Sequence, residues 1–231
     1  MDLLTEDAGL VRARVYGIRS TRSSLRGKVV PYARGTAWLY TDRRRDSIKI
    51  TDFEVQRYAV SLSENLAFYG HASLWAEVVW KTFGSGGEEA RAYHLVVEGL
   101  DLLDGVPRLE ASAVSVVSMT LLWRYLGILG VQPDLQVCAS SERLFAAEEA
   151  RYFDRRESVM VGREWAAADM FEVTPGVVRL LGATAGLPLS GVAALAVTDA
   201  TRLSLRRFIL GAVQEAVDIP LNTLEVAAGW L

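Results

Sequence analysis

Cysteine is nearly missing from this sequence. Cys138 is the only one among 231 residues, and a single thiol excludes an intrachain disulfide framework and an all-cysteine metal cage, as suits a reducing compartment. Histidine is almost as scarce. His71 and His94 are the whole supply, each in a helical pattern without a second histidine at ligand spacing, which leaves no histidine metal site. Long uninterrupted apolar runs are absent too. The stretch from Val177 to Val197 comes nearest, but it carries Arg179, Pro188 and three glycines, so it predicts two short buried helices joined by GLPLSG and not a membrane span. The opening MDLLTEDAG has acids where an export signal has a basic start and an apolar core, so a cytoplasmic chain is expected.

Catalytic motifs are also wanting. FGSGGEE faintly resembles a phosphate loop, but no strand precedes it and no lysine follows at the required spacing, so it reads as an interhelical turn. Cys138 has no nearby histidine to activate it. The acid pairs Glu88/Glu89 and Glu148/Glu149 are neighbours in sequence, which on a helix sends them in different directions. The expectation is a protein without turnover chemistry and without a cofactor.

One further absence is informative. Between Asp7 and Asp42 there is no acid, while Arg12, Arg14, Arg19, Arg22, Arg26, Lys28 and Arg34 all fall in that window. Residues 1–60 hold 12 basic and 7 acidic side chains, and the remainder 13 basic and 21 acidic. A basic module on an acidic body is the electrostatic footprint of a polyanion binder. Within it, GIRSTRSSLRGK spaces guanidinium groups with small hydroxyl residues, a composition suited to phosphate oxygens. Tyr16, Tyr32, Trp38 and Tyr40 add rings of the kind that stack on bases, although some of them must fill the module's core.

Residues 1–57 read as short strands. LVRARVYG alternates Val11, Ala13 and Val15 with Arg12, Arg14 and Tyr16. VVPYARGTAWLYT puts Val30, Tyr32, Arg34, Thr36, Trp38 and Tyr40 on one face. After the turn TDRRRDS, SIKITDFEV sets Ile48, Ile50 and Asp52 against Lys49, Thr51 and Phe53. The prediction is a small antiparallel β-barrel. From residue 58 onward the texture is helical: LAFYGHASLWAEVVWKTF, EEARAYHLVVEGLDLL, LEASAVSVVSMTLLWRYLGIL and DATRLSLRRFILGAVQEAV, with a polar irregular insert over 132–169. The fold class is α+β, with domains at 1–57 and 58–231.

Three segments carry a family resemblance. LLTEDAGLVRARVYGIRSTRSSLRGKVVPY resembles the N-terminal signature of bacterial RecO proteins: a threonine-acid-glycine turn, a basic strand, a glycine-hydrophobic-arginine loop, a serine-leucine-basic-glycine step and a proline-aromatic pair. LLWRYLGILGVQPDLQVC is similar to the family's helix ending in leucine-leucine-glycine, and RRFILGAVQEAVDIPLNTLEVA to its last helix and closing segment. The resemblance implies an OB-fold followed by a helical domain. It further implies binding of single- and double-stranded DNA, strand annealing, contact with the acidic tail of single-strand-binding protein, and work with RecR to load RecA. On that basis Arg12, Arg14, Arg19, Arg22, Arg26, Lys28 and Arg34 are the candidates for DNA, and Arg124, Arg202, Arg206 and Arg207 for the protein tail. The alternative is a protein-interaction scaffold whose basic loop docks an acidic partner.

The sequence departs from the family in two places. The family's four-cysteine zinc positions fall on Cys138, Ser141, Val161 and Glu164, and valine cannot coordinate a metal, so no zinc is expected. A first strand of the family's barrel is also expected to be missing ahead of Met1, which would leave an open sheet edge.

Overall fold

The computed structural model describes residues 1–226 apart from 19, 22, 84–88, 107 and 108. The turn FGSGGEE therefore lies largely outside the described residues. Four strands build the first module: β1 (Asp2–Thr5), β2 (Gly9–Arg14), β3 (Arg34–Asp42) and β4 (Ser47–Arg57). Their order is β1-β2-β4-β3, with β2 and β4 parallel and the other two pairs antiparallel. The closed antiparallel barrel is thus corrected to an open mixed sheet among the described residues. Its parallel pair arises because the chain leaves β2, crosses residues 15–33, and only then forms the β3–β4 hairpin, which lies against β2 through β4.

The alternation expected for SIKITDFEV fails at one point. Thr51 and Asp52 together oppose Trp38, a bulge that restarts the pleat. Phe53 therefore joins Ile50 in the interior, while Asp52 stays outside and accepts a 2.8 Å bond from the Phe53 N–H. Ala13, Ile50 and Phe53 are covered by Leu25 and Val29 of the 15–33 crossover. The crossover thus supplies the lid that a closed barrel would have made from strands.

The second module is α1 (Val60–Glu64), α2 (Leu66–Thr82), α3 (Glu89–Gly105), α4 (Ala111–Ile128), α5 (Pro175–Thr184), α6 (Leu189–Ala193), α7 (Asp199–Val217) and α8 (Asn222–Val226). Asn65 caps α2 by accepting from the N–H groups of Ala67 and Phe68, and Thr198 caps α7. Helix α4 is long and apolar enough to cross a membrane, but two-thirds of it is buried against α2, α3, α6 and α7. Some of its polar groups are matched, while the Ser115 and Thr120 hydroxyls are buried without a partner. Ser118 accepts from the Trp75 indole at 2.8 Å, and Tyr125 meets Thr82 at 2.8 Å. Part of the expected irregular insert is in fact ordered: β5 (Arg151–Asp154) and β6 (Val159–Val161) join β7 (Phe171–Val173), just beyond it, in a three-stranded sheet of order β6-β5-β7. Strands this short leave no periodicity to read.

Polar pins join the modules. Arg34 donates to Asp101 at 2.9 Å, Arg57 reaches Asp101 at 2.6 Å and Asp104 at 3.2 Å, and Tyr32 shares a 2.9 Å hydrogen bond with Ser73. Beside these pins the sheet and helices α2 and α3 enclose a cavity of about 700 Å³, bordered by Leu4, Leu39, Tyr69, Trp80 and Tyr93.

Candidate nucleic-acid interface

The site is best built from the β3–β4 hairpin. Asp42 accepts from the backbone N–H groups of Arg44 (3.0 Å) and Arg45 (3.3 Å), and Asp46 turns the chain with φ of 44°. This Asx-type turn points three consecutive arginines, 43 to 45, into solvent at the hairpin tip. Register then aligns further cations below the tip. Arg14 of β2 lies beside Lys49 of β4, and Lys49 lies opposite Tyr40 of β3, so the three side chains form one row across the sheet. The Lys49 ammonium sits 4.6 Å from the centre of the Tyr40 ring. Trp38 stands two residues before Tyr40 on the same face and is 46 % exposed, Tyr40 52 %.

The expected DNA residues fall into distinct groups. Arg14 and Arg26 are exposed and have no ion-pair partner among the described residues, and the same is true of Arg43 and Arg44. Lys28 reaches Asp52 at 3.4 Å, opposite Trp38, and helps to hold that carboxyl below its ordinary range, second to the Phe53 N–H. Arg12 is turned away: it pairs with Asp2 at 2.9 Å and lies over the Trp80 ring. Arg34, expected on the DNA face, is instead spent on Asp101, whose carboxyl it holds below the usual range. Arg19 and Arg22 lie outside the described residues. The aromatics divide as well. Tyr32 is drawn inward, edge-on to Tyr69 at 5.5 Å, while Tyr16, Trp38 and Tyr40 face out. Arg43, Arg44, Arg45 and Lys49 were not singled out from sequence. The signal available was TDRRRDS itself, three arginines at the tip of a hairpin flanked by alternating strands.

The bases considered for a protein tail do not gather into one cluster. Arg124 donates to the carbonyls of Thr184, at 2.6 Å, and Leu187, closing the α5–α6 turn. Arg202 pairs with Asp199 at 2.8 Å. Arg207 covers the Phe171 ring at 4.5 Å. Arg206 lies near His71, an imidazole that burial and then the Arg206 charge push down to about 4.

The four positions that the resemblance sets against a zinc site do not fit an ion. Cys138 is buried and accepts from the Gly162 N–H at 3.3 Å. Burial raises its pKa, but bonds from Ser141, Gly162 and Ser140 outweigh that and leave it lowered. Val161 packs into the core. Glu164 is engaged by Arg143 at 3.1 Å, and Arg143 also forks onto Glu149 at 2.9 and 2.7 Å. Among the described residues no three His, Cys, Asp or Glu side chains come together.

Comparison with known proteins bears directly on this arrangement. The sequence model of the family described as "Recombination protein O C terminal" matches residues 63–225, the larger part of the chain. The chain belongs to the RecO family. Among its RecO relatives, "DNA repair protein RecO" of Rubrobacter xylanophilus is 29 % identical over 217 residues, covering 91 % of this chain and 83 % of that protein. The RecO of Gloeobacter violaceus is 28 % identical over 66 % of this chain and 56 % of its own length. That of Bifidobacterium adolescentis is 28 % identical over 73 % and 65 %. In the latter two the match spans under two thirds of the relative. A mixed α+β protein of the RecO family, with a role in DNA repair, is therefore in hand.

Proposed function

We propose that the chain is a recombination mediator that binds single- and double-stranded DNA and anneals complementary strands without turnover chemistry. The observation that carries this reading is the cationic edge of the sheet, in which Arg14, Lys49 and the hairpin arginines 43 to 45 share one exposed end of an otherwise acidic protein. Among them Arg14, Arg43 and Arg44 have no ion-pair partner among the described residues, and all five are exposed, so they are available to replace the counterions of a phosphate backbone. The RecO resemblance implies an OB-fold at this end of the chain, a platform for nucleic acid, which supports the reading. In the same reading the protein works in the cytoplasm on the nucleoid. It meets the acidic tail of single-strand-binding protein through Arg206 and Arg207 on α7, and acts with RecR in loading RecA.

The test is a salt titration of DNA binding. Each phosphate contact on a single strand contributes about 0.7 to the slope of log affinity against log salt. Reversal of the hairpin charges (R43E, R44E and R45E together) is expected to flatten that slope by about 2 and to suppress annealing of complementary oligonucleotides. An unchanged slope removes the hairpin from the DNA site. Binding to an acidic protein segment with no measurable DNA affinity would favour the scaffold reading.

A further inference from the structure

We infer that Trp38 and Tyr40 form a two-ring base platform that makes this face selective for single strands and presents their pairing edges outward. The inference rests on the DNA-binding reading above and goes beyond it, because cations alone do not distinguish a single strand from a duplex.

Three observations support the assignment. The rings belong to residues i and i+2 of β3, so they project from the same face, whereas Ala37 and Leu39 between and beside them border the cavity on the other side. Both are about half exposed. Large rings at that exposure on a strand forfeit the apolar burial that Ile50 and Phe53 of the neighbouring strand obtain. Finally, the rings are flanked by the cations a backbone needs: Lys49 beside Tyr40, Arg14 next to Lys49, and Lys28 near Asp52 opposite Trp38.

The spacing determines which substrate fits. Two residues along a strand put the ring attachments about 7 Å apart, twice the roughly 3.4 Å rise per nucleotide in a helical stack. Neighbouring bases of a duplex or of a stacked strand cannot both meet rings so separated. A drawn-out single strand can, each base lying flat on one ring while its phosphates meet the flanking cations. A base held by its face keeps its hydrogen-bonding edge free. The platform therefore offers an extended strand to its complement instead of hiding it, which is the geometry annealing requires.

The deciding experiment measures affinity of W38A, Y40A and the double variant for an oligothymidylate and for a blunt hairpin duplex at one salt concentration. Annealing is measured at saturating protein. Each ring removed is expected to weaken single-strand binding about tenfold, to leave duplex binding within about twofold, and to keep the salt slope unchanged, since no phosphate contact is lost. W38F and Y40F, which retain a stacking face, should recover most of the affinity and also control for folding. Equal weakening of single strand and duplex, or no weakening of either, overturns the platform while the cationic edge stands. Flattening of the slope by the hairpin reversal together with unchanged binding by the ring variants isolates that case. Absence of DNA binding in the unaltered protein overturns both.

Discussion

Arg143 shows how a single side chain can hold separate segments of a chain together. Its guanidinium meets Glu149 with two bonds and Glu164 with a third, tying the segment around residue 143 to the residues that follow Val159–Val161. Cys138 accepts from donors of Ser140, Ser141 and Gly162. R143Q should lower the melting temperature, more so at low ionic strength, because the clamp is exposed and screened by salt. Chelators should leave the unaltered protein's melting unchanged, and stoichiometric zinc by elemental analysis would contradict the assignment. Acid acts on the same clamp. Arg143 and the Ala146 N–H hold Glu149 down at about 2, below its ordinary 4.5. A depressed carboxyl stabilises the fold above its unfolded value and loses that contribution as pH falls through the folded one, so the clamp's share should disappear between pH 4.5 and 2. At this scale the sequence was only partly legible: the Arg143 clamp could not be read, because its partners lie 6 and 21 residues away.

Among the elements, α8 shows how short helices are retained. Five residues bury too little to hold themselves, and α8 is instead fixed to α2: Glu77 accepts from the N–H groups of Asn222 and Thr223, each at 2.8 Å, and Lys81, a turn further on, bonds to the Pro220 carbonyl. Although burial pushes the Glu77 carboxyl up, Lys81 and these donors bring it down to about 2. E77Q should cost about 1 kcal/mol once solvent screening is allowed for. Faster amide exchange in 218–226 than in α4 would check it. In the unaltered protein the same clip should weaken only as pH drops below about 4.5 towards 2. The long helices were legible in the sequence, since DATRLSLRRFILGAVQEAV is α7 from end to end. The strands were less so. One inserted residue at Thr51 reversed the facing of Asp52 and Phe53, and no composition signal marks such a bulge. The inward engagements of Arg34 and Tyr32 could not be read for a related reason: both sit at or just before the start of β3, and their partners Asp101 and Ser73 belong to helices 41 or more positions away.

For the molecule as a whole, the relation between the two modules depends on few contacts. The cavity of about 700 Å³ leaves apolar surface unpacked beside the junction, so the convergence of Arg34 and Arg57 on Asp101 carries an unusual share of the orientation. D101N should cost only about 1 kcal/mol, since the carboxylate is partly solvated, yet it should loosen the sheet selectively. Hydrogen exchange would then rise across β3 and β4 while α4 and α7 stay protected, and equal protection in both modules would refute the idea. The change from strands to helices near residue 58 could be read from periodicity. The junction between the modules could not, because the pins join residues with no local pattern.

The parallel pairing of β2 with β4 has a consequence for the order of assembly. The β3–β4 hairpin closes through a turn of four residues, whereas Ala13 meets Ile48 only after some 35 intervening positions have been gathered in. Contacts between near neighbours form in about 1–10 μs, and distant ones wait for the entropy of the larger loop to be overcome. The arginine-tipped hairpin should therefore be the nucleus onto which β2 later docks, with the crossover folding down last. Substitutions that weaken the hairpin would then slow folding, while those in the crossover would chiefly hasten unfolding.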